Sequence, residues 1–155
     1  MARRRKEAPW FHEFLTRLRF EEAARKEYPS LQGMKAGKGK NAEIIYVIPV
    51  TLPIYGIQRT ITISLANYTE PAFIGVTVDG PTDSPHRYGS GNLCMWHPGA
   101  SWDARWTADE GLLGLIQYAR IHLFREEYWR ETGGRDGGIW AGSETPHGEI
   151  KEEAA

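Results

Sequence analysis

Cysteine is almost absent from this chain: Cys94 is the only one in 155 residues. An internal disulfide is therefore excluded, and so is a structural zinc site built on paired thiolates at C-x2-C spacing. The residues alone leave Cys94 open to two readings, an inert small core residue or a reactive thiol. Long apolar runs are missing too, and none approaches the roughly 20 residues that a bilayer-crossing helix needs. Charge of one sign is lacking, since a formal net charge of -1 provides no whole-chain basic field for nucleic acid. The start, Met1-Ala2-Arg3-Arg4-Arg5-Lys6-Glu7, is charged with no apolar stretch behind it and does not read as a signal peptide. A cytoplasmic protein that engages neither membrane nor nucleic acid is the expectation. Gly37-Lys38-Gly39-Lys40 lacks the GxxxxGK[ST] spacing of a phosphate loop and reads as a lysine-rich hairpin turn. With no internal repeat and no linker, residues 1–155 read as one domain, with flexible ends at 1–7 and 148–155.

What is present is ordinary globular patterning with many aromatics. Six tryptophans and seven tyrosines point to aromatic packing in core and loops. From Ala8 to Lys26, the recurrence of Trp10, Phe11, Phe14, Leu15 and Leu18 predicts an amphipathic helix closed by Tyr28-Pro29. A first strand is expected near Leu31 to Lys35. Three strand-like runs follow, Glu43 to Leu52, Gly56 to Leu65 and Ala72 to Val78. In the second of these three, Ile57, Ile61, Ile63 and Leu65 share one side. Short connections at Pro53 to Gly56 and at Asn67 to Pro71 imply an antiparallel meander with one buried face. Thr107-Ala108-Asp109-Glu110 reads as a capping box, opening a long helix with a stripe of Leu112, Leu115, Ile116, Ala119 and Leu123 that ends at Gly133-Gly134. His122 reads as a packed or surface imidazole, and Trp140 as a residue that docks on the body. The expected class is α+β, with helices packed on an antiparallel sheet.

The candidate chemistry lies between the meander and the second helix, in Ser84-Pro85-His86-Arg87-Tyr88-Gly89-Ser90-Gly91-Asn92-Leu93-Cys94-Met95-Trp96-His97-Pro98. His86, Cys94 and His97, with Asp83 or Asp103, are potential zinc ligands, but the paired short spacing of structural sites is missing, so neither metal nor cofactor is expected. A cysteine hydrolase would need a base beside the thiol, with His86 and His97 as candidates. Acyl transfer through a thioester asks less of the thiol. It needs exposure, room for an acyl tail and a polar donor for the oxyanion, and Asn92 is placed to be that donor.

These residues, taken in order, resemble a ubiquitin-conjugating enzyme, and in particular the divergent bacterial members of that superfamily. The resemblance runs from Pro9 to Glu127 and rests on the order of helix, four-stranded meander, histidine-initiated loop, cysteine and helix. His86-Arg87-Tyr88 stands where the family has His-Pro-Asn, and Gly91-Asn92-Leu93-Cys94-Met95 resembles the run into the nucleophile. Trp102, eight residues beyond Cys94, falls at the family's tryptophan, and Pro71 matches a reduced form of its proline-rich bend. Two departures stand out: Tyr88 replaces the family's oxyanion asparagine, and the loop is shorter. The resemblance implies the ubiquitin-conjugating enzyme fold and an enzyme with Cys94 as acyl carrier. It implies His86 as a brace of the loop by hydrogen bonds. Asn92 is the substitute expected for the missing asparagine, with Tyr88 or His97 as alternatives. The implied partners are an adenylating activating enzyme, a ubiquitin-like modifier and a metalloprotease deconjugase from the same operon, in systems that include antiphage defence. The activating enzyme would meet the first helix and its basic side, Arg3 to Lys6 and Arg17. The competing expectation is a non-catalytic module of the same fold that binds or scaffolds a partner.

Overall fold

Alternation decides the sheet. In the computed structural model, which describes residues 11, 13–38, 42–66, 74–96 and 101–142, β1 (Gln32–Ala36), β2 (Glu43–Leu52), β3 (Ile57–Ala66) and β4 (Gly75–Val78) form one antiparallel sheet in that order. Ile44, Tyr46, Ile48, Val50 and Leu52 occupy every second position of β2 and are all buried. The register sets Ile44 opposite Leu65, Tyr46 opposite Ile63 and Ile48 opposite Ile61, and Ile63 in turn lies opposite Val76. Cross-strand apolar pairs on one face make this register the one that keeps the core dry, since a one-residue slip would turn every one of them outward. The expected four-stranded meander is thus present, with β4 beginning at Gly75 and residues 67–73 outside the described part.

Two helices complete the α+β arrangement: α1 (Phe14–Glu27) and α2 (Gly111–Glu131). Leu112, Leu115, Ile116, Ala119 and Leu123 recur at helical spacing along α2, are buried, and join the inner face of the sheet in one core. Each leucine or isoleucine so placed contributes about 1.5–3 kcal/mol of burial.

α1 departs from its expected stripe. Phe14 and Leu15 are exposed, and the residues buried on this helix are Glu21 and Ala24. The reason is Tyr46. Its ring lies fully buried on β2, its hydroxyl must find a partner there, and it donates to Glu21 Oε1 at 2.7 Å. Arg17 and Arg25 lie 3.5 and 3.4 Å from the same carboxylate. Burial, and then the hydrogen bond to Glu21, push the Tyr46 phenol well above its ordinary value, so it stays a proton donor at any ordinary pH.

The expected capping box is also corrected. Thr107 heads a 3-10 turn, Ala108–Glu110, through a backbone bond from Glu110 N to Thr107 O of 3.0 Å, with no side-chain cap. α2 starts afresh at Gly111, whose φ of 71° breaks the turn from the helix. Gly111 has two further duties. Its carbonyl accepts from Trp106 Nε1 at 2.8 Å, and a Cβ on it would collide with the Phe20 ring of α1. Gly111→Ala is therefore expected to lower stability by about 1–3 kcal/mol, read as a fall in the denaturant midpoint at unchanged m-value.

Candidate functional site

The segment before Cys94 is a tight hairpin. Arg87 and Leu93 pair as an antiparallel bridge, Cys94 N donates to His86 O at 3.0 Å, and Tyr88 N donates to Asn92 O at 3.0 Å. Gly91 closes the turn with a φ of 88° and a 2.9 Å bond from its N to Tyr88 O. Leu93 N donates to Val76 O at 2.8 Å, which hangs the hairpin on β4. Alternation then sets Arg87 and Leu93 on one face and His86, Tyr88, Asn92 and Cys94 on the other.

Arg87 fixes the first face to α2. Its Nε and Nη2 donate to Glu126 Oε2 and Oε1 at 2.9 and 2.8 Å, with both side chains almost entirely buried. Its Nη1 reaches Gly91 O at 2.9 Å, so one guanidinium holds both the helix and the hairpin turn. A second set of charges lies beside it. Arg130 binds Glu127 at 2.8 Å and Asp83 at 2.9 Å, and Arg59 of β3 reaches Glu127 at 3.3 Å. Burial of Asp83 works against ionisation, but the bond from Arg130 outweighs it and holds its carboxyl below the usual range.

Under the hairpin sit two histidines capped by a tryptophan. The His86 ring stacks on Trp140 with centroids 4.0 Å apart, and His122 of α2 meets Trp140 at 5.3 Å and His86 at 6.3 Å. The segment carrying Trp140 is tied down by Ile139 N to Thr132 Oγ1 at 2.7 Å and by Arg125 Nε to Ala141 O at 3.0 Å. His122 is 1 % exposed, and neither ring nitrogen makes a hydrogen bond of normal geometry. Burial, then the neighbouring charges of His86, Arg87 and Arg125, push its imidazole down to about 3, offset in part by the backbone of His86.

Cys94 is 2 % exposed. Its Sγ lies 3.6 Å from Trp96 O, and its thiol is hydrogen-bonded to the Tyr88 hydroxyl. Burial, then that bond to Cys94, push the Tyr88 phenol above its ordinary value. Asn92 is turned elsewhere: its Nδ2 donates to Ser90 Oγ at 2.7 Å and its Oδ1 faces Gly75 of β4. His86 meets Cys94 through its backbone carbonyl, while its ring belongs to the Trp140 stack. Of the residues singled out in the sequence, the structure thus brings Tyr88 and His86 to Cys94, by side chain and by main chain. Trp102 opens a 3-10 turn, Trp102–Ala104, eight residues on. His97, Pro71 and the Arg3 to Lys6 run lie outside the described residues, as do both expected flexible ends.

The chain matches no known family model, no curated protein and no solved structure.

Among the described residues no group of three or more histidine, cysteine or carboxylate side chains could hold a metal ion, and no helix is long and apolar enough to cross a membrane. What the arrangement can do chemically is nucleophilic: one thiol, one phenolic donor on it, and a hairpin whose base is clamped. The clamp escaped the sequence reading because its signal was a continuation. The α2 stripe does not stop at Leu123. His122, Glu126 and Glu127 extend it and are buried, and polar residues on an apolar stripe announce buried partners.

Two measurements follow from this geometry. Glu126→Gln or Arg87→Met alone should cost about 3–5 kcal/mol of unfolding free energy, whereas Glu126→Leu combined with Arg87→Met should cost less than the two single changes added. Stability should also fall with acid. The folded His122 resists a proton that the unfolded chain accepts near 6.5, so unfolding is favoured once pH drops below that value, down to the folded value of about 3. Between pH 7.5 and 5 this histidine should remove about 2 kcal/mol, and His122→Leu should flatten that part of the profile.

Proposed function

We propose that this protein is a conjugating enzyme for a ubiquitin-like modifier, carrying it as a thioester on Cys94. The observation that carries the reading is the placement of the single thiol. It follows a four-stranded antiparallel meander, on a hairpin clamped to a long helix, with a first helix ahead of the sheet. That order supports the sequence resemblance to ubiquitin-conjugating enzymes. In the reaction, the Cys94 thiolate attacks the thioester carbonyl of the modifier on its activating enzyme, and the activating enzyme's thiolate leaves. An amine or other nucleophile of the target then attacks the new thioester, loses its proton and releases the Cys94 thiolate. The partners are the activating enzyme, the modifier and a metalloprotease that reverses the product, all from one operon in a cytoplasmic, antiphage or related system. Asn92 is the oxyanion donor that the sequence suggests. The structure turns its amide toward Ser90, so this role requires the hairpin turn to rearrange during transfer.

A second reading has its own support. A thiol 2 % exposed, and hydrogen-bonded to Tyr88, suits a non-catalytic module of the same fold that holds a modifier or scaffolds a partner. Incubation with the neighbouring activating enzyme, modifier and ATP separates the two. The carrier forms an adduct that thiols cleave, that Cys94→Ala abolishes and that Cys94→Ser converts to a more stable ester. Absence of any adduct on folded wild-type protein leaves the binding module.

A further inference from the structure

We propose that Tyr88 is a gate on the Cys94 thiol, closed in this structure and opened by movement of the hairpin turn from Tyr88 to Asn92. The hairpin is unequal in its anchoring. Its base is fixed by the Arg87–Glu126 pair, by buried Leu93 and by the bond from Leu93 N to Val76 O. Its tip is not packed: a Cβ added at Gly89 or at Gly91 would meet nothing within 4 Å, and Tyr88 itself is 42 % exposed. The boundary between the two regimes falls between Arg87 and Tyr88. The Arg87–Leu93 register makes Tyr88 and Cys94 diagonal neighbours on one face, a separation that an aromatic side chain spans. The tyrosine hydroxyl therefore reaches inward to the thiol while the residue carrying it sits at the rim. Turning Tyr88 outward costs the bonds that the turn itself makes, Tyr88 N to Asn92 O and Gly91 N to Tyr88 O, and the reach of Arg87 Nη1 to Gly91 O, and leaves the Arg87–Glu126 pair in place. Such a small, weakly held segment over a rigid base is the form that gating motions take. The gate reconciles a buried thiol with a carrier role and, in that use, rests on the carrier reading above.

The test needs no modifier. Folded protein is alkylated with iodoacetamide across a pH series, a reaction in which the Cys94 thiolate bonds to the reagent's CH2, iodide leaves and the thiol proton goes to solvent. Tyr88→Ala removes the cover and should raise the limiting rate at high pH by about tenfold or more, as for a thiol moved from a buried to an open setting. Tyr88→Phe keeps the ring but removes the donor, so its limiting rate should stay near wild type. Its half-maximal pH should move up by about one unit, the effect of losing one hydrogen bond to a thiolate. A limiting rate unchanged in folded Tyr88→Ala overturns the cover, and a wild-type pH profile in Tyr88→Phe overturns the hydrogen bond's part in it. Should Tyr88→Ala fail to fold by circular dichroism, the Tyr88→Phe profile decides alone. Variants that respond as expected, with no modifier adduct on wild type, would sink the carrier reading and leave the gate. An adduct on wild type with unresponsive variants would do the opposite.

Discussion

The bidentate pair of Arg87 and Glu126 is the contact on which the site depends. Besides it, the described part of the segment between β4 and the turns before α2 is tied to the sheet by main-chain bonds from Leu93 N to Val76 O and from Asp79 N to Thr60 O. Two opposite charges taken out of water are expensive, and their attraction offsets that cost only when geometry is good and the remaining donors are used. Here they are: the third Arg87 nitrogen goes to Gly91 O and a further bond from Nη2 reaches Pro81 O at 3.3 Å. An apolar pair of similar volume would have packed α2 against the hairpin at no greater cost in stability. It would not have fixed the hairpin's rotation, because apolar contacts carry no direction. The pair fixes the Arg87 side of the hairpin against Glu126 of α2, while His86 on the other side meets His122 of the same helix.

The same device recurs at the other end of the core. Tyr46 and Glu21 join β2 to α1 through a buried directional bond, and Glu21 is flanked by two arginines of its own helix. In both places a carboxylate on a helix stripe replaces an apolar residue. This is where the fold was hardest to read from sequence. The strands were legible because β3 alternates apolar and polar residues and β2 is a run of branched and aromatic ones; the alternation of β2 shows only in its burial. α2 was legible through its run of leucine, isoleucine and alanine. α1 was legible as a helix and misread in orientation, since Phe14 and Leu15 drew the apolar stripe toward themselves while Tyr46, 25 residues beyond Glu21, held the helix by that carboxylate. Periodicity counts apolar side chains. It has no means of counting a buried carboxylate whose partner is on another element.

The site was legible in a different measure. The glycines and the lone thiol marked the hairpin, and the spacing from Cys94 to Trp102 marked the return toward α2. What could not be read was which polar side chain meets the thiol. Tyr88 and Asn92 both lie on the Cys94 face, and sequence spacing alone favours Asn92 because residues two apart share a side of an extended segment. The hairpin reverses that preference. Once Arg87 is opposite Leu93, the chain folds back, Asn92 leans on Gly75 and Ser90, and the longer Tyr88 side chain covers the diagonal to Cys94. Register, set by the clamp, thus decides chemistry.

The histidine pair under Trp140 belongs to the same logic. His86 supplies the carbonyl that receives Cys94 N, so its main chain holds the thiol-bearing residue in the hairpin. A small aliphatic residue there would leave Trp140 without its 4.0 Å stack, and the segment after α2 would lose its anchor on the hairpin. A charged ring there would bring a second positive group against Arg87 in a site with little water. His122 is held far below its ordinary value by burial and by its charged neighbours, so its ring stays neutral. The packing of His86 and Trp140 is therefore tightest where His122 is uncharged, and acid that charges His122 weakens it.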